Sequence, residues 1–304
     1  MPNNVRNILD LAIDKKNLNS RLFKDESYFS KSFIPNKVLF RERQFRELII
    51  KFKRIINSNE TYIDFFQAIT FLGPVGTGKS LVARYFCFDF IKTLQLKFSK
   101  ITFLYRHLNC RRNKSIFTLL FDLLRSIVPH FPNRGFSSSE LMNMLHVLLI
   151  NTNAYLFLIL DEIDFLFQDK EIRLFFENLT FKDEISETKS NNRISVIYIT
   201  RNKNFLLLLD TENKFHILDN IIKFDHYKRD EIKEILMHRA SYGLREGIIS
   251  ISTFDYLADY TYQKNDIRFG IELLWRSTRV AESENSQKLD LVHVKKAFSL
   301  MEEV

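Results

Sequence analysis

Phe71-Leu72-Gly73-Pro74-Val75-Gly76-Thr77-Gly78-Lys79-Ser80 decides the fold. Gly73, Gly78, Lys79 and Ser80 satisfy G-x-x-x-x-G-K-[ST], the loop that cradles phosphate. Small residues let successive backbone N–H groups converge on anionic oxygens, and glycine reaches angles that a side chain forbids. Lys79 adds a positive charge for the β- and γ-phosphates, and the Ser80 hydroxyl is a ligand for Mg²⁺. A helix starting at Lys79 and running through Leu81 aims its positive end at the same anion. A plain glycine turn is the competing reading, but three of the chain's seven glycines fall between Gly73 and Gly78. The flanks also agree: Ala68–Leu72 is an apolar strand and the residues after Ser80 are helical. Gly73, Pro74, Val75, Gly76, Thr77, Gly78, Lys79, Ser80 and Leu81 are therefore the expected nucleotide-binding set, with ATP or ADP and Mg²⁺ as cofactors.

Composition sets the outer bounds. A chain of 304 residues allows one large or two modest domains, and 45% hydrophobic residues with 30 Phe can bury a real core. The net charge of +8 permits an acidic partner such as nucleic acid without requiring one. Cys87 and Cys110 have neither metal spacing nor the look of a disulfide framework. No apolar run approaches the roughly 18 residues of a membrane span, and the N-terminus lacks a signal-peptide core. The expectation is a protein with no membrane contact, cytoplasmic and nucleoid-associated in a prokaryote or nuclear in a eukaryote.

Working outward, Val5–Ala12 is a short amphipathic stretch. From Val38 to Phe52 apolar positions recur at three and four residues, which predicts a helix ending before Asn57. A second strand is expected over Ile101–Cys110. Helices follow over Ser115–Val128, stopped by Pro129, and over Glu140–Ile150. Tyr155–Asp161, Ile194–Thr200 and Asn220–Phe224 read as three further strands. Alternation of strands and helices predicts an α/β fold with a five-stranded parallel sheet and a ligand at the strands' carboxyl ends. From Lys228 the pattern is helical throughout, over about 229–241, 252–262, 266–281 and 290–301. The expected division is an N-terminal extension (1–30), an α/β nucleotide-binding base (31–225) and an all-helical lid (226–304).

Leu156–Asp164 is the second chemical stretch. An apolar strand ending in Asp161-Glu162 matches the Walker B pattern, in which Asp161 holds Mg²⁺ through water and Glu162 polarises the attacking water. A solvated acidic turn is the alternative, which the preceding phosphate loop disfavours. Asn202, just past the fourth strand, is a candidate sensor of the γ-phosphate, or else a loop asparagine making its own turn. Arg268 reads either as a phosphate contact or as a surface arginine. His107, His130 and His146 read as satisfied surface or core histidines, and Tyr85–Phe90 as core.

Taken together, these stretches resemble AAA+ ATPases, and within them the origin-recognition and replication-licensing initiators (the ORC/CDC6-like family), over roughly residues 30–302. Phe33-Ile34-Pro35 with Leu39-Phe40-Arg41-Glu42-Arg43-Gln44 is similar to the family's adenine-side entry motif, which implies that Ile34 and Arg41 help to bind nucleotide. Asn109-Cys110-Arg111 is similar to its Asn-Cys-Arg, and Asp161-Glu162-Ile163-Asp164 to its usual Walker B form. Tyr198–Asn202 resembles the sensor 1 strand, and Asn265–Leu274 the sensor 2 helix, which implies a phosphate-side role for Asn202 and Arg268. ATP then sits between base and lid, and a slow Mg²⁺-dependent ATPase switch in replication initiation is implied.

Two features depart from the family. Its members usually place an arginine finger soon after a Leu-Asp pair, whereas Leu209-Asp210-Thr211-Glu212-Asn213-Lys214 offers only a lysine, without the planar fork. The winged-helix domain that usually follows the lid is not present before Val304. The remaining candidate for duplex DNA is the basic region 111–135. There Arg111, Arg112 and Lys114, with Arg125 and Arg134, imply phosphate contacts and strong salt dependence. Another initiator subunit or the replicative helicase is the implied protein partner. Two other readings stand beside this one: a degenerate initiator-like module that holds nucleotide structurally and recruits a partner, and a generic AAA+ remodelling or mobile-element ATPase.

Overall fold

Strands β1 (Gln67–Leu72), β3 (Ala154–Asp161) and β4 (Ile194–Thr200) are buried along their whole length, the pattern of parallel strands covered on both faces. The computed structural model describes residues 21–30, 32–58, 63, 65–132, 135–179, 192–202 and 220–303. The amphipathic stretch 5–12, the stretch 209–214 and Arg134 lie outside them. Two compact units result, Phe40–Asp225 and Met1–Leu39 with His226–Val304. The second joins residues before 40 to the C-terminal helices, a grouping that no division into consecutive spans expresses.

In the unit Phe40–Asp225, β2 (Thr102–Asn109) and β5 (Ile221–Lys223) complete a sheet of order β2-β3-β4-β1-β5, in which every pair is parallel. The expected five-stranded parallel sheet is present. Side chains alternate between its two faces. On one face, Leu156, Leu158 and Leu160 join a core with α3 (Ile116–Ile127), α4 (Ser138–Asn151) and α5 (Ile172–Asn178). On the other, Phe157 meets Phe52 of α1 (Glu42–Ile56) and Phe90 of α2 (Lys79–Lys97), with ring centroids 5.8 and 5.9 Å apart. Phe86 and Phe90 are core as expected, while Phe88 is exposed beneath Lys92.

Helix starts follow local chemistry. Ser115 and Ser137 form capping boxes with Thr118 and Glu140, which satisfies amides that an uncapped helix leaves open. The helix expected from Val38 begins only at Glu42. Phe40 lies at φ 58°, a left-handed angle that breaks the turn, and Arg41 occupies the N-cap.

The other unit packs α6 (Arg229–Gly243), α7 (Ile251–Lys264), α8 (Ile267–Ser283) and α9 (Leu291–Glu302). Residues 21–30 belong to it through long-range bonds. Leu22 N–H donates to Glu282 (3.1 Å), while Trp275 Nε1 (3.1 Å) and Arg279 (2.7 Å) both donate to Glu26. Buried Arg239 donates to the Tyr28 carbonyl (2.8 Å), and burial pulls its guanidinium down to about 10. Among the described residues no helix is long and apolar enough to cross a membrane.

Candidate nucleotide site

The carboxyl ends of β1, β3 and β4 assemble the site. After β1 the chain enters the glycine loop, where Gly76 and Gly78 adopt left-handed φ of 76° and 83°. Gly73 is glycine for lack of space, since a Cβ there would lie 2.2 Å from the Phe224 carbonyl oxygen. Helix α2 starts on Gly78 with no side-chain cap, so its first-turn amides face the loop without a competing acceptor from the cap. Lys79 is buried, and its Nζ donates to the carbonyls of Gly73 (2.6 Å) and Pro74 (2.5 Å), which holds the ammonium over its own loop. Thr77 closes the turn by donating to the Pro74 carbonyl (2.9 Å).

Arg41 braces this loop from outside. Its Nε and Nη2 donate to the Thr77 carbonyl at 3.1 and 3.0 Å, Nη2 also to Asp225 (2.9 Å), and Nη1 to Phe40 (3.0 Å). Four hydrogen bonds to main chain from a buried guanidinium fix the path of the glycine loop against the end of β5. Gln44 adds a bond to the Lys223 carbonyl (3.1 Å). Tertiary structure thus gives Arg41 and Gln44 of the entry motif a scaffolding task.

At the end of β3, Asp161 is buried beside Ser80, and its Oδ2 is hydrogen-bonded to His107 Nε2 at 3.1 Å. Burial raises its pKa, but hydrogen bonds from His107 and Ser80 outweigh that and hold the carboxyl below its ordinary range. Glu162 follows at φ 57° and ψ 46°, a left-handed conformation costing on the order of 1–3 kcal/mol for a residue with a side chain. Its carboxylate accepts from Asn109 Nδ2 (3.2 Å) and lies 3.9 Å from Arg201. Asp164 accepts from the Thr200 hydroxyl and from the Arg201 amide (3.3 Å), tying the end of β4 to the acidic turn. Asn202 N–H donates to Thr200 Oγ1 (3.1 Å), so the candidate sensor leaves the sheet in a tight turn.

Ser80 and Asp161 are therefore brought into contact, with Glu162 next in the chain, and Asn202 emerges from the neighbouring strand. Ile34 and Arg268 belong to the other unit. Ile34 is half-buried there, and Arg268 is exposed, with its guanidinium on Asp266 at 3.2 and 3.3 Å. Arg111, Arg112 and Lys114 are exposed on the loop between β2 and α3, with the Arg111 guanidinium 5.6 Å from the Phe165 ring. Sequence reasoning missed His107. Its signal was the two-residue spacing to Asn109, which puts both side chains on the face of β2 that carries Asp161 on β3. Among the described residues no cluster of three or more His, Cys, Asp or Glu is placed to hold a metal by itself.

Comparisons with known proteins point one way. Residues 233–299 match the family model "Cdc6 AAA+ ATPase-type lid domain". The chain is 28% identical over 287 residues to ORC1-type DNA replication protein 2 of Sulfurisphaera tokodaii, covering 92% of this chain and 67% of the relative. Among solved structures, Cdc6p from Pyrobaculum aerophilum aligns with a TM-score of 0.74 at 26% identity, over 91% of this chain and 71% of that one. Two Aeropyrum pernix proteins share the fold at a TM-score of 0.79. ORC1 in complex with DNA is 20% identical, over 93% of this chain and 71% of its own, and ORC2 with ADPNP and ADP 21% identical, over 91% and 72%.

Proposed function

This chain is an ORC/CDC6-like AAA+ protein, and we propose that it acts in DNA replication initiation as a switch that binds ATP or ADP and hydrolyses ATP slowly. The observation that carries the reading is the buried strand-end carboxyl of Asp161 with Ser80 beside it and a buried Lys79, at the carboxyl edge of a parallel sheet. A phosphate loop alone binds anions, whereas a loop hydroxyl paired with a strand-end carboxylate adds the oxygen donors that a nucleotide-bound metal needs.

Those donors fit Mg²⁺, which takes one or two protein oxygens and completes its octahedron with phosphate and water. When bound, Mg²⁺ supplies charge neutralisation across the β- and γ-phosphates. Lys79 binds the phosphates, with Gly73–Leu81 wrapping them in backbone amides. Glu162 orients the attacking water, and Asn109 and Arg201 set where its carboxylate points. Asn202 is assigned to the γ-phosphate side.

A fluorescent-nucleotide titration with a parallel phosphate-release assay tests this. The natural chain should bind ADP and ATP and turn ATP over slowly, and lack of nucleotide binding with the fold intact would reject the reading. Duplex DNA is the proposed partner, through the basic 111–135 region with its exposed Arg111, Arg112 and Lys114, together with another initiator subunit or the replicative helicase. Arg111→Ala/Arg112→Ala should weaken DNA binding in fluorescence anisotropy and lower its salt dependence by about two phosphate contacts. Absence of DNA binding with either nucleotide would instead favour the module that recruits a protein partner. Glu212, at the place of the usual arginine finger, already leans that way for activation in trans. A stable hexamer with ATP would favour the remodelling motor.

A further inference from the structure

We propose that His107 is a positioning residue for the metal-binding carboxylate of Asp161, a role that rests on the nucleotide reading above. Nε2 of His107 lies 3.1 Å from Asp161 Oδ2, and the contact spans two strands and 54 residues of sequence. A carboxylate only accepts, so the imidazole donates its Nε2–H and that nitrogen's tautomer is fixed by the contact. The register explains why the contact forms. Asn109 is the direct partner of Asp161, and His107, two residues earlier on the same face, reaches it diagonally.

This arrangement has a consequence for metal binding. Asp161 is buried at the mouth of the loop, so few waters are available to orient it. With Oδ2 held by His107, rotation of the carboxylate is restricted and its other acceptor positions are presented in one orientation beside Ser80. Ligating carboxylates elsewhere depend on such partners, whose removal typically costs about 10–100-fold in metal affinity. Two residues on along β2, Asn109 donates from Nδ2 to Glu162 (3.2 Å), so two positions of one edge strand orient neighbouring acids. The lack of any other strand beyond β2 in the described sheet makes His107 accessible from outside and replaceable without opening the core.

The test compares His107→Gln with His107→Met, two side chains of similar length of which only glutamine can donate. Fluorescent-ADP affinity is measured in EDTA and then across a Mg²⁺ series, with a thermal melt of each variant as a check on folding. Both variants should bind ADP in EDTA within about twofold of the natural chain. The Mg²⁺ concentration that gives half of the metal-dependent tightening should rise about 10-fold in His107→Met and stay within about threefold in His107→Gln. Equal Mg²⁺ midpoints in all three proteins, with ADP bound, would overturn the role of His107 and leave the nucleotide site standing. A parallel loss of ADP binding in EDTA by both variants would mean that His107 supports the loop itself, and would also overturn it. Failure of the natural chain to bind ADP at all would remove the nucleotide reading and this role with it.

Discussion

The two units pair buried polar side chains by contrasting means. In Phe40–Asp225 polar side chains at the carboxyl ends of the strands find partners on a neighbouring strand or in the turn after it: His107 with Asp161, Asn109 with Glu162, Thr200 with Asp164. In the helical unit the buried hydroxyls turn back on their own helices. Thr261 donates to the Leu257 carbonyl (2.6 Å), Ser277 to Leu273 (2.6 Å) and Thr278 to Leu274 (2.9 Å). Self-satisfied hydroxyls are small polar groups that let helices approach closely, as Gly270 does under Thr261, where a Cβ would lie 2.3 Å from the hydroxyl oxygen. The contrast teaches where substitutions matter. Cross-strand polar pairs orient chemistry, and helix-internal ones permit packing.

The largest expected effect is chemical. Lys79→Ala should weaken nucleotide binding by about 100-fold or more, since charge-assisted hydrogen bonds to phosphate are lost, while the thermal midpoint of the nucleotide-free protein shifts little. A collapse of the fold instead would blur the separation of chemistry from packing. Glu162→Gln should keep ADP affinity and lower turnover by about 100-fold, read by phosphate release. Unchanged turnover would take Glu162 out of the reaction.

Packing gives the next size of effect. Gly270→Ala should cost about 1–3 kcal/mol in chemical denaturation by forcing α7 and α8 apart, without changing the nucleotide affinity of the folded protein. The double change with Thr261→Ser should recover part of that loss, because the nearest carbon clash, with Thr261 Cγ2 at 2.6 Å, is removed.

The smallest effect is a pH dependence within the sheet unit. His146 is buried and its Nε2 meets the Asn178 carbonyl at 2.9 Å. Burial outweighs that bond and lowers its pKa below the ordinary value of 6.5. Its folded pKa therefore lies below the unfolded one. The stability it contributes is full above about pH 6.5 and is lost as pH falls through the folded value. His146→Gln should flatten the decline in melting temperature between pH 7 and pH 5. An unchanged decline would assign the acid sensitivity to other groups.

Much of this was legible in the chain because the patterns are local. The glycine loop, the strand ending in Asp161-Glu162 and the five apolar strands each specify their own conformation within ten residues. The expected starts of α3 and α4, at Ser115 and Glu140, fall within two residues of the observed ones. Phe40 was not legible, since nothing in an amphipathic repeat announces a left-handed angle. His107 was read as an ordinary histidine because its partner is 54 residues away and only strand register brings the two together. Arg41 was singled out by motif, but its bonds to Thr77 and Asp225 depend on how β5 ends beside the loop.

By itself the sequence determined the fold class, the place of the phosphate loop, the acidic pair and the resemblance to replication initiators. Those rest on short-range backbone demands and hydrophobic period, which neighbouring residues settle among themselves. The tertiary structure alone decided which side chains hold the acids in place, and that residues 21–39 belong with helices more than two hundred positions away. Register, close approach and burial act between segments that share no local pattern, so these pairings exist only once the chain has folded.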